Sequence, residues 1–165
     1  MPLDKFDYES ILRVLARHGV DFIVIGGVCA NMHGAPLLTF DLDIVHDRKP
    51  DNLERLAAAL KELRAYYWEH LNKRLEPEIR TMALPGHHLL DTDAGRLDLI
   101  GTVVGGKGYD ELLSHTVLQQ LDAELQVRLL DLPTLIEIKE ATGRDKDKLA
   151  AMILKQTLLE VQEEI

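Results

Sequence analysis

Apolar residues in the first third of the chain alternate between a helical spacing and a strand spacing. The helical spacing predicts an amphipathic helix over 4–18, and the apolar run after it predicts a short strand over 20–25. A short helix over 27–33 and a strand over 39–46 are predicted next. Pro50 is suited to the first turn of a helix, and the apolar stripe after it predicts about four helical turns.

The middle and the end of the chain continue with strands and then helices. Residues 66–80 mix aromatic and charged side chains and fit either a helix or a loop. Asp93-Ala94-Gly95 is suited to a hairpin turn, and Asp131 or Thr134 could cap the helix that Pro133 opens. The further predicted elements are strands over 81–84, 88–92, 96–102, 117–121 and 124–130, and helices from about 133 and over 146–161.

This order of elements predicts an α+β or α/β fold with a small mixed β-sheet flanked by helices. We expect a single domain over 1–165, with a core over about 20–130 and C-terminal helices over about 133–165. A dinucleotide-binding fold is disfavoured, because Gly26-Gly27 has no third glycine at the required spacing.

Two aspartates lie two residues apart in the strand predicted over 39–46. Asp41 and Asp43 would project from one face of it, and adjacent carboxylates repel each other unless a cation lies between them. Asp98 lies between two leucines of a later apolar strand, where a charge needs a partner. Three carboxylates from adjacent strands could hold one or two Mg²⁺ ions, although an acidic pair at a strand end is also often only a solvated edge.

Composition narrows the possible partners and the compartment. The chain is 46% hydrophobic, 28% charged and carries a formal net charge of −9, which disfavours non-specific nucleic-acid binding but allows a nucleotide carried on Mg²⁺. The single Cys29 excludes an internal disulfide, and with no signal peptide we expect a reducing, cytoplasmic location. No apolar run approaches the roughly 20 residues of a membrane helix.

A family resemblance rests on two motifs. The run G-G-V-C-A-N-M-H-G-A-P-L-L-T-F-D-L-D-I over 26–44, with L-D-L over 97–99, resembles the nucleotidyltransferase superfamily of the DNA polymerase β-like fold. Within it, the chain is similar to small bacterial AbiEii-type toxins and related nucleotidyltransferase-like proteins. The stretch L-I-E-I-K-E-A-T-G-R-D-K-D over 135–147 resembles a weaker Lys-X-X-X-X-Arg-X-X-Asp motif of that group.

The resemblance implies an enzyme that transfers a nucleoside monophosphate from an NTP to a hydroxyl acceptor, with Mg²⁺ or Mn²⁺ as cofactor. The acceptor would be a protein, an RNA or a small molecule. The catalytic and metal-binding residues that it implies are Asp41, Asp43 and Asp98. The nucleotide-binding residues that it implies are Gly26, Gly27, Thr39, Lys139 and Arg144.

One position departs from the group's pattern and keeps alternatives open. Members of the group usually carry an arginine two residues before the Thr39 position, where this chain has Leu37. The departure favours a second hypothesis, a non-catalytic nucleotide-binding or partner-binding module that keeps the fold. A toxin of a toxin–antitoxin pair, with an antitoxin protein as partner, is a further possibility that the resemblance implies. A metal-dependent phosphohydrolase is disfavoured, because that chemistry would favour histidines among the carboxylates of the strand over 39–46.

Several other residues have a structural interpretation beside a functional one. Asp91 and Asp93 lie near a predicted turn, which favours exposed surface positions. His33 is interpreted as a core or helix-capping histidine before a nucleotide contact, and Cys29 as buried packing. Trp68 could stack on a base, but packing of an aromatic cluster is the commoner role. Lys139 could equally be an exposed residue of an amphipathic helix.

Overall fold

The computed structural model describes residues 6–70 and 73–163. The helices are α1 (Tyr8–Arg17), α2 (Gly26–Met32), α3 (Pro50–Glu62), α4 (Ile79–Met82), α5 (Tyr109–Leu112), α6 (Leu132–Ala141) and α7 (Asp145–Glu163). The strands are β1 (Phe22–Ile25), β2 (Asp41–His46), β3 (Tyr66–Tyr67), β4 (His87–Thr92), β5 (Gly95–Ile100), β6 (Thr116–Gln120) and β7 (Gln126–Leu130). The first two residues of the helix predicted over 4–18 lie outside the described residues.

The strands form one mixed sheet in the order β3-β4-β5-β2-β1-β7-β6. β2 pairs with β5 in parallel, and so does β1 with β7, whereas the other neighbours are antiparallel. The architecture confirms the predicted α/β class with a small mixed sheet. β2 and β5 are neighbours although they are separated in the chain, and this pairing brings the two aspartate-bearing segments side by side.

Helices pack against the sheet in two groups. α3 contacts both α1 and α4, and α6 contacts both α2 and α7. The apolar alternation of β2 explains its orientation, because Leu42 and Ile44 are fully buried on the face opposite the aspartates. Within the described residues, no helix combines the length and the apolar character that crossing a membrane requires.

Most predicted elements are confirmed, with ends shifted by a few residues. β4 and β5 form the hairpin predicted at 93–95, and β6 and β7 form the second hairpin. The N-cap of α6, predicted as either Asp131 or Thr134, is Asp131. Its carboxylate accepts a hydrogen bond from the Thr134 amide at 2.9 Å. β2 begins at Asp41 rather than at residue 39.

The strand predicted over 81–84 is wrong, because this segment lies in and just after the helical turn α4. The carbonyl of Glu78 accepts hydrogen bonds from the Thr81 hydroxyl and from the Met82 amide, which closes the turn. Met82 is fully buried, whereas Leu84 is largely exposed, so the helical turn directs Met82 into the core and leaves Leu84 outside it. The short helix α5 was not predicted, since its Gly108 cap, bonded to the Glu111 carboxylate, has no strong sequence signature.

Candidate active site

Three aspartates converge on one face of the sheet. In the parallel pairing of β2 and β5, Asp43 is the register partner of Asp98, and Asp41 is the partner of Arg96. One carboxylate oxygen from each of Asp41, Asp43 and Asp98 lies within 4.8 Å of the other two. This arrangement follows from the two-residue period of a strand together with the parallel register. Carboxylate oxygens at this spacing match the ligand set that Mg²⁺ or Mn²⁺ prefers.

The electrostatics of the cluster favour a bound cation. Burial raises the pKa of Asp98 to about 9, and the neighbouring charges of Asp43 and Asp41 add to that shift. Burial and the charge of Asp41 raise the pKa of Asp43 to about 6. The Asp98 side chain is nearly enclosed, since the residue is only 9% exposed. Without a cation, Asp98 therefore retains its proton near neutral pH, and a divalent cation would take the place of that proton.

The glycine turn that opens α2 fits closely against this cluster. Gly26 has a φ of +70°, and a Cβ at this position would coincide with the carboxylate of Asp43. A Cβ on Gly27 would lie 2.7 Å from the Thr39 hydroxyl oxygen. That hydroxyl donates a hydrogen bond to the Asp41 carbonyl at 3.1 Å, which connects the loop before β2 to the start of the strand. Both glycines are therefore required by close approach within the protein itself.

Lysines from the C-terminal helices contribute positive charge near the carboxylates. Lys139 of α6 and Lys146 of α7 both lower the pKa of Asp43 by through-space attraction, against the larger effect of burial. The Lys139 ammonium also lies 3.5 Å from a carboxylate oxygen of Asp147, a residue that is 3% exposed. Arg144, also predicted for nucleotide binding, donates from Nε to Asp147 at 2.6 Å. Lys146 was missed at the sequence level, although it lies in the same motif.

Residues with a structural interpretation have mostly structural contacts. The Cys29 thiol is buried and donates to the carbonyl of Leu130, and a ring nitrogen of His33 lies 2.8 Å from the same carbonyl. The surface position predicted for Asp91 is wrong, because the residue is only 6% exposed. Asp91 lies inside β4 rather than in the turn, and its carboxylate accepts hydrogen bonds from the Tyr66 hydroxyl and the Thr92 amide. Asp93, in the turn, is exposed as predicted.

The aromatic segment around β3 is divided between the two faces of the sheet. The Tyr67 hydroxyl lies 2.7 Å from Nδ1 of the buried His88, and the partly buried ring packs against the core. Trp68 lies on the carboxylate face, where the Arg96 guanidinium stacks 4.3 Å from the centre of its ring. Sequence reasoning missed Arg96, although its position two residues before Asp98 in a strand places both side chains on one face.

Comparison with known proteins finds similar folds but no similar sequences. No protein-family model matches the sequence, and no curated protein sequence matches it. The structure is similar to the lincosamide antibiotic adenylyltransferase LnuA with lincomycin bound, with a TM-score of 0.62 and 12% identity over 91% of this chain and 95% of that one. It is also similar to a candidate nucleotidyltransferase from Thermotoga maritima, with a TM-score of 0.50 and 16% identity over 96% of this chain and 91% of that one.

These likenesses cover 91% and 96% of this chain. At such low identity they concern the arrangement of the backbone. The carboxylate cluster lies where strands that the sequence separates become neighbours, as the resemblance of the two sequence motifs implied. The chain has a nucleotidyltransferase-like fold.

Proposed function

We propose that the chain is a nucleotidyltransferase that uses a metal-bound NTP and a hydroxyl acceptor. The observation that carries the proposal is the convergence of Asp41, Asp43 and Asp98 within 4.8 Å beside the Gly26-Gly27 turn. A structural core cluster of like charges is disfavoured, because burial of unpartnered carboxylates costs stability. The backbone similarity to an adenylyltransferase supports the same reaction class.

Each residue has a role in this proposal. Asp41 and Asp43 would hold a divalent metal ion that neutralises phosphate charge, and Asp98 would complete that site on the acceptor side. Gly26 and Gly27 let the backbone approach the triphosphate, and the Thr39 hydroxyl lies beside them. Lys139 supplies charge to the phosphates, with Arg144 further out because it is 63% exposed and paired with Asp147.

The transfer step requires positioning and charge neutralisation more than covalent participation of the protein. The acceptor oxygen forms a bond to the α-phosphorus, while the bond from that phosphorus to the bridging oxygen breaks and pyrophosphate leaves. Asp98 accepts the proton of the acceptor hydroxyl, directly or through one water. The bound Mg²⁺ or Mn²⁺ stabilises the negative charge on the phosphate oxygens.

Calorimetry with ATP and CTP in the presence of Mg²⁺ tests the proposal. We expect the wild-type protein to bind at least one nucleotide, and the double variant Asp41→Asn/Asp43→Asn to lose that binding. The matched control is Asp51→Asn/Asp93→Asn, which removes two exposed carboxylates and leaves the cluster intact. Absence of nucleotide binding by the wild-type protein at millimolar concentration would contradict the proposal.

A binding module without turnover is the second candidate. Leu37, at the position where the related group carries an arginine, packs as a partly buried apolar residue against the core. Nucleotide binding without pyrophosphate release across a panel of hydroxyl acceptors would favour this candidate over the enzyme. A toxin role is supported by the sequence resemblance alone, and a small antitoxin gene next to this one would be the observation in its favour.

A further inference from the structure

An arginine next to the carboxylate cluster has an aromatic partner in place of an acidic one. Arg96 is the register partner of Asp41 and lies two residues before Asp98 on the same face of β5. Its guanidinium stacks on Trp68 at 4.3 Å from the ring centre. Over residues 6–70 and 73–163, it forms no ion pair within 4.0 Å, although the protein carries a formal net charge of −9.

A second arginine also stacks on an aromatic ring, that of Tyr66 in β3, two strands away from β5 in the sheet. The guanidinium of Arg74 lies 4.3 Å from the ring centre of Tyr66, whose register partner in β4 is Asp91. Arg74 also donates a hydrogen bond to the carbonyl of Arg64 at 3.0 Å. Asp91 is in turn the register partner of Arg96, so β4 lies between the two arginine–aromatic pairs in the sheet. We name Arg74, Tyr66, Arg96 and Trp68 the arginine–aromatic patch.

The patch and the glycine turn lie on opposite sides of the carboxylates. Gly26 and Gly27 follow β1, whereas the patch belongs to β5, β4 and β3, which extend from β2 in the other direction. In the proposed reaction the nucleotide lies beside the glycine turn, and Asp98 faces the acceptor. The arginine–aromatic patch therefore adjoins the acceptor side of the site.

Stacking leaves the donors of a guanidinium available to a ligand. An aromatic ring contacts the flat face of the group, while the N–H donors point outwards along its edge. A phosphate accepts two of these N–H donors side by side, which a point charge such as lysine cannot reproduce. The ring also restricts the rotamers of the arginine, so less side-chain entropy is lost on binding.

We infer, resting on the proposed function, that Arg96 on Trp68 binds a phosphate group of a small phosphorylated acceptor whose hydroxyl is then nucleotidylated. The guanidinium of Arg96 can donate two N–H groups side by side to one phosphate monoester. The net charge of −9 disfavours a long polyanion, so a small molecule fits better than a nucleic acid strand.

Trp68 is the only tryptophan of the chain, so its fluorescence reports directly on this site. The test titrates nucleotide-free protein with glycerol 3-phosphate, and with glycerol as the uncharged comparison. We expect a saturable change in emission with glycerol 3-phosphate alone. Calorimetry with the same probe should show affinity reduced by about tenfold or more in Arg96→Gln, and partly retained in Arg96→Lys.

The matched control is Arg80→Gln, because Arg80 is an exposed arginine of α4 paired with Glu78. This variant should bind the probe like the wild-type protein. The inference is overturned if the wild-type protein does not bind glycerol 3-phosphate, if Arg96→Gln binds it equally well, or if Mg-ATP competes with it. A short single-stranded RNA that binds more tightly through Arg96 would assign the patch to nucleic acid and overturn the small-molecule acceptor.

Nucleotide calorimetry on the same proteins separates the two proposals. We expect Arg96→Gln to bind Mg-ATP as the wild-type protein does, since the arginine lies on the acceptor side. If the wild-type protein binds glycerol 3-phosphate but no nucleotide, the proposed function fails and the phosphate site remains. If it binds nucleotide but not glycerol 3-phosphate, this inference fails and the proposed function remains.

Discussion

Gly26 and Asp43 share a space that only a residue without a side chain can leave open. Gly26 has a positive φ, and the position of its missing Cβ is taken by the Asp43 carboxylate. The close approach explains why a glycine is the first residue of α2, facing the second aspartate of the pair. Substitution here would therefore act on the fold and on the carboxylate cluster together.

We expect Gly26→Ala to destabilise the protein by about 2 kcal/mol or more, because it adds backbone strain and displaces Asp43. It should also weaken Mg²⁺ binding, measured by the metal-induced increase of Tm. The control is Gly34→Ala, at a glycine with a φ of +97° and no heavy atom within 4 Å of the added Cβ. Gly34→Ala should cost about 1 kcal/mol and keep the metal response. Equal losses of the metal response in both variants would contradict this explanation.

At the scale of elements, α6 and α7 are joined by a buried carboxylate. Asp147, near the start of α7, accepts hydrogen bonds from the Thr142 hydroxyl at 2.7 Å and from Arg144 at 2.6 Å. Its other oxygen lies 3.5 Å from the Lys139 ammonium of α6. These contacts fix the turn at Gly143 and orient Lys139, which the sequence alone left open between a site residue and an exposed one.

We expect Asp147→Ala to lower the unfolding free energy by about 1–3 kcal/mol, since it removes the acceptor of several polar groups at once. The exposure of Arg144 keeps the loss below that of a fully buried pair. The measurement is urea denaturation. Asp145→Ala is the matched control, because Asp145 is fully exposed and 4.0 Å from Lys148, and it should change stability by about 0.5 kcal/mol or less. A loss equal to that of this control would show that the buried carboxylate does not join the helices.

For the whole molecule, we expect the carboxylate cluster to couple the free energy of unfolding to pH and to metal binding. The pKa of Asp43 is raised to about 6 and that of Asp98 to about 9 in the folded state. Their protonated forms therefore add stability that is complete below about pH 4 and is lost as the pH rises through about 6 and then 9. Bound Mg²⁺ should reverse that loss, because it requires the deprotonated ligands.

We expect Asp98→Asn to be more stable than the wild-type protein without metal at pH 8, by about 5 °C in Tm, and to gain no stability from Mg²⁺. The difference in Tm between the two proteins should shrink as the pH falls towards 4. Comparing the two proteins cancels the opposite contribution of the buried His46 and His88, whose pKa values burial lowers. A difference that stays constant with pH, or an equal response to Mg²⁺, would contradict the coupling. Asp93→Asn, in an exposed turn, should show neither effect.

Much of the fold could be predicted because the apolar positions in the sequence pattern are the positions that the structure buries. The strand alternation around Asp41 and Asp43, and the leucines on either side of Asp98, indicate which side chains leave the core. The strand predicted over 81–84 was wrong because a pattern of four residues is too short to distinguish a strand from a helical turn. The prediction of an exposed Asp91 was wrong because the burial of this residue depends on Tyr66 and on the neighbouring strands of the sheet.

The sequence by itself determined the α/β class, the pair of aspartates on one strand face and the glycines at the start of α2, because these follow from spacing along the chain. Only the tertiary structure decided that β2 lies parallel to β5, which brings Asp98 to Asp43. It also decided that Arg96 stacks on Trp68 and that Asp147 holds Lys139. The physical reason is that strand order, register and helix docking result from burial of the whole apolar core, which no local pattern specifies.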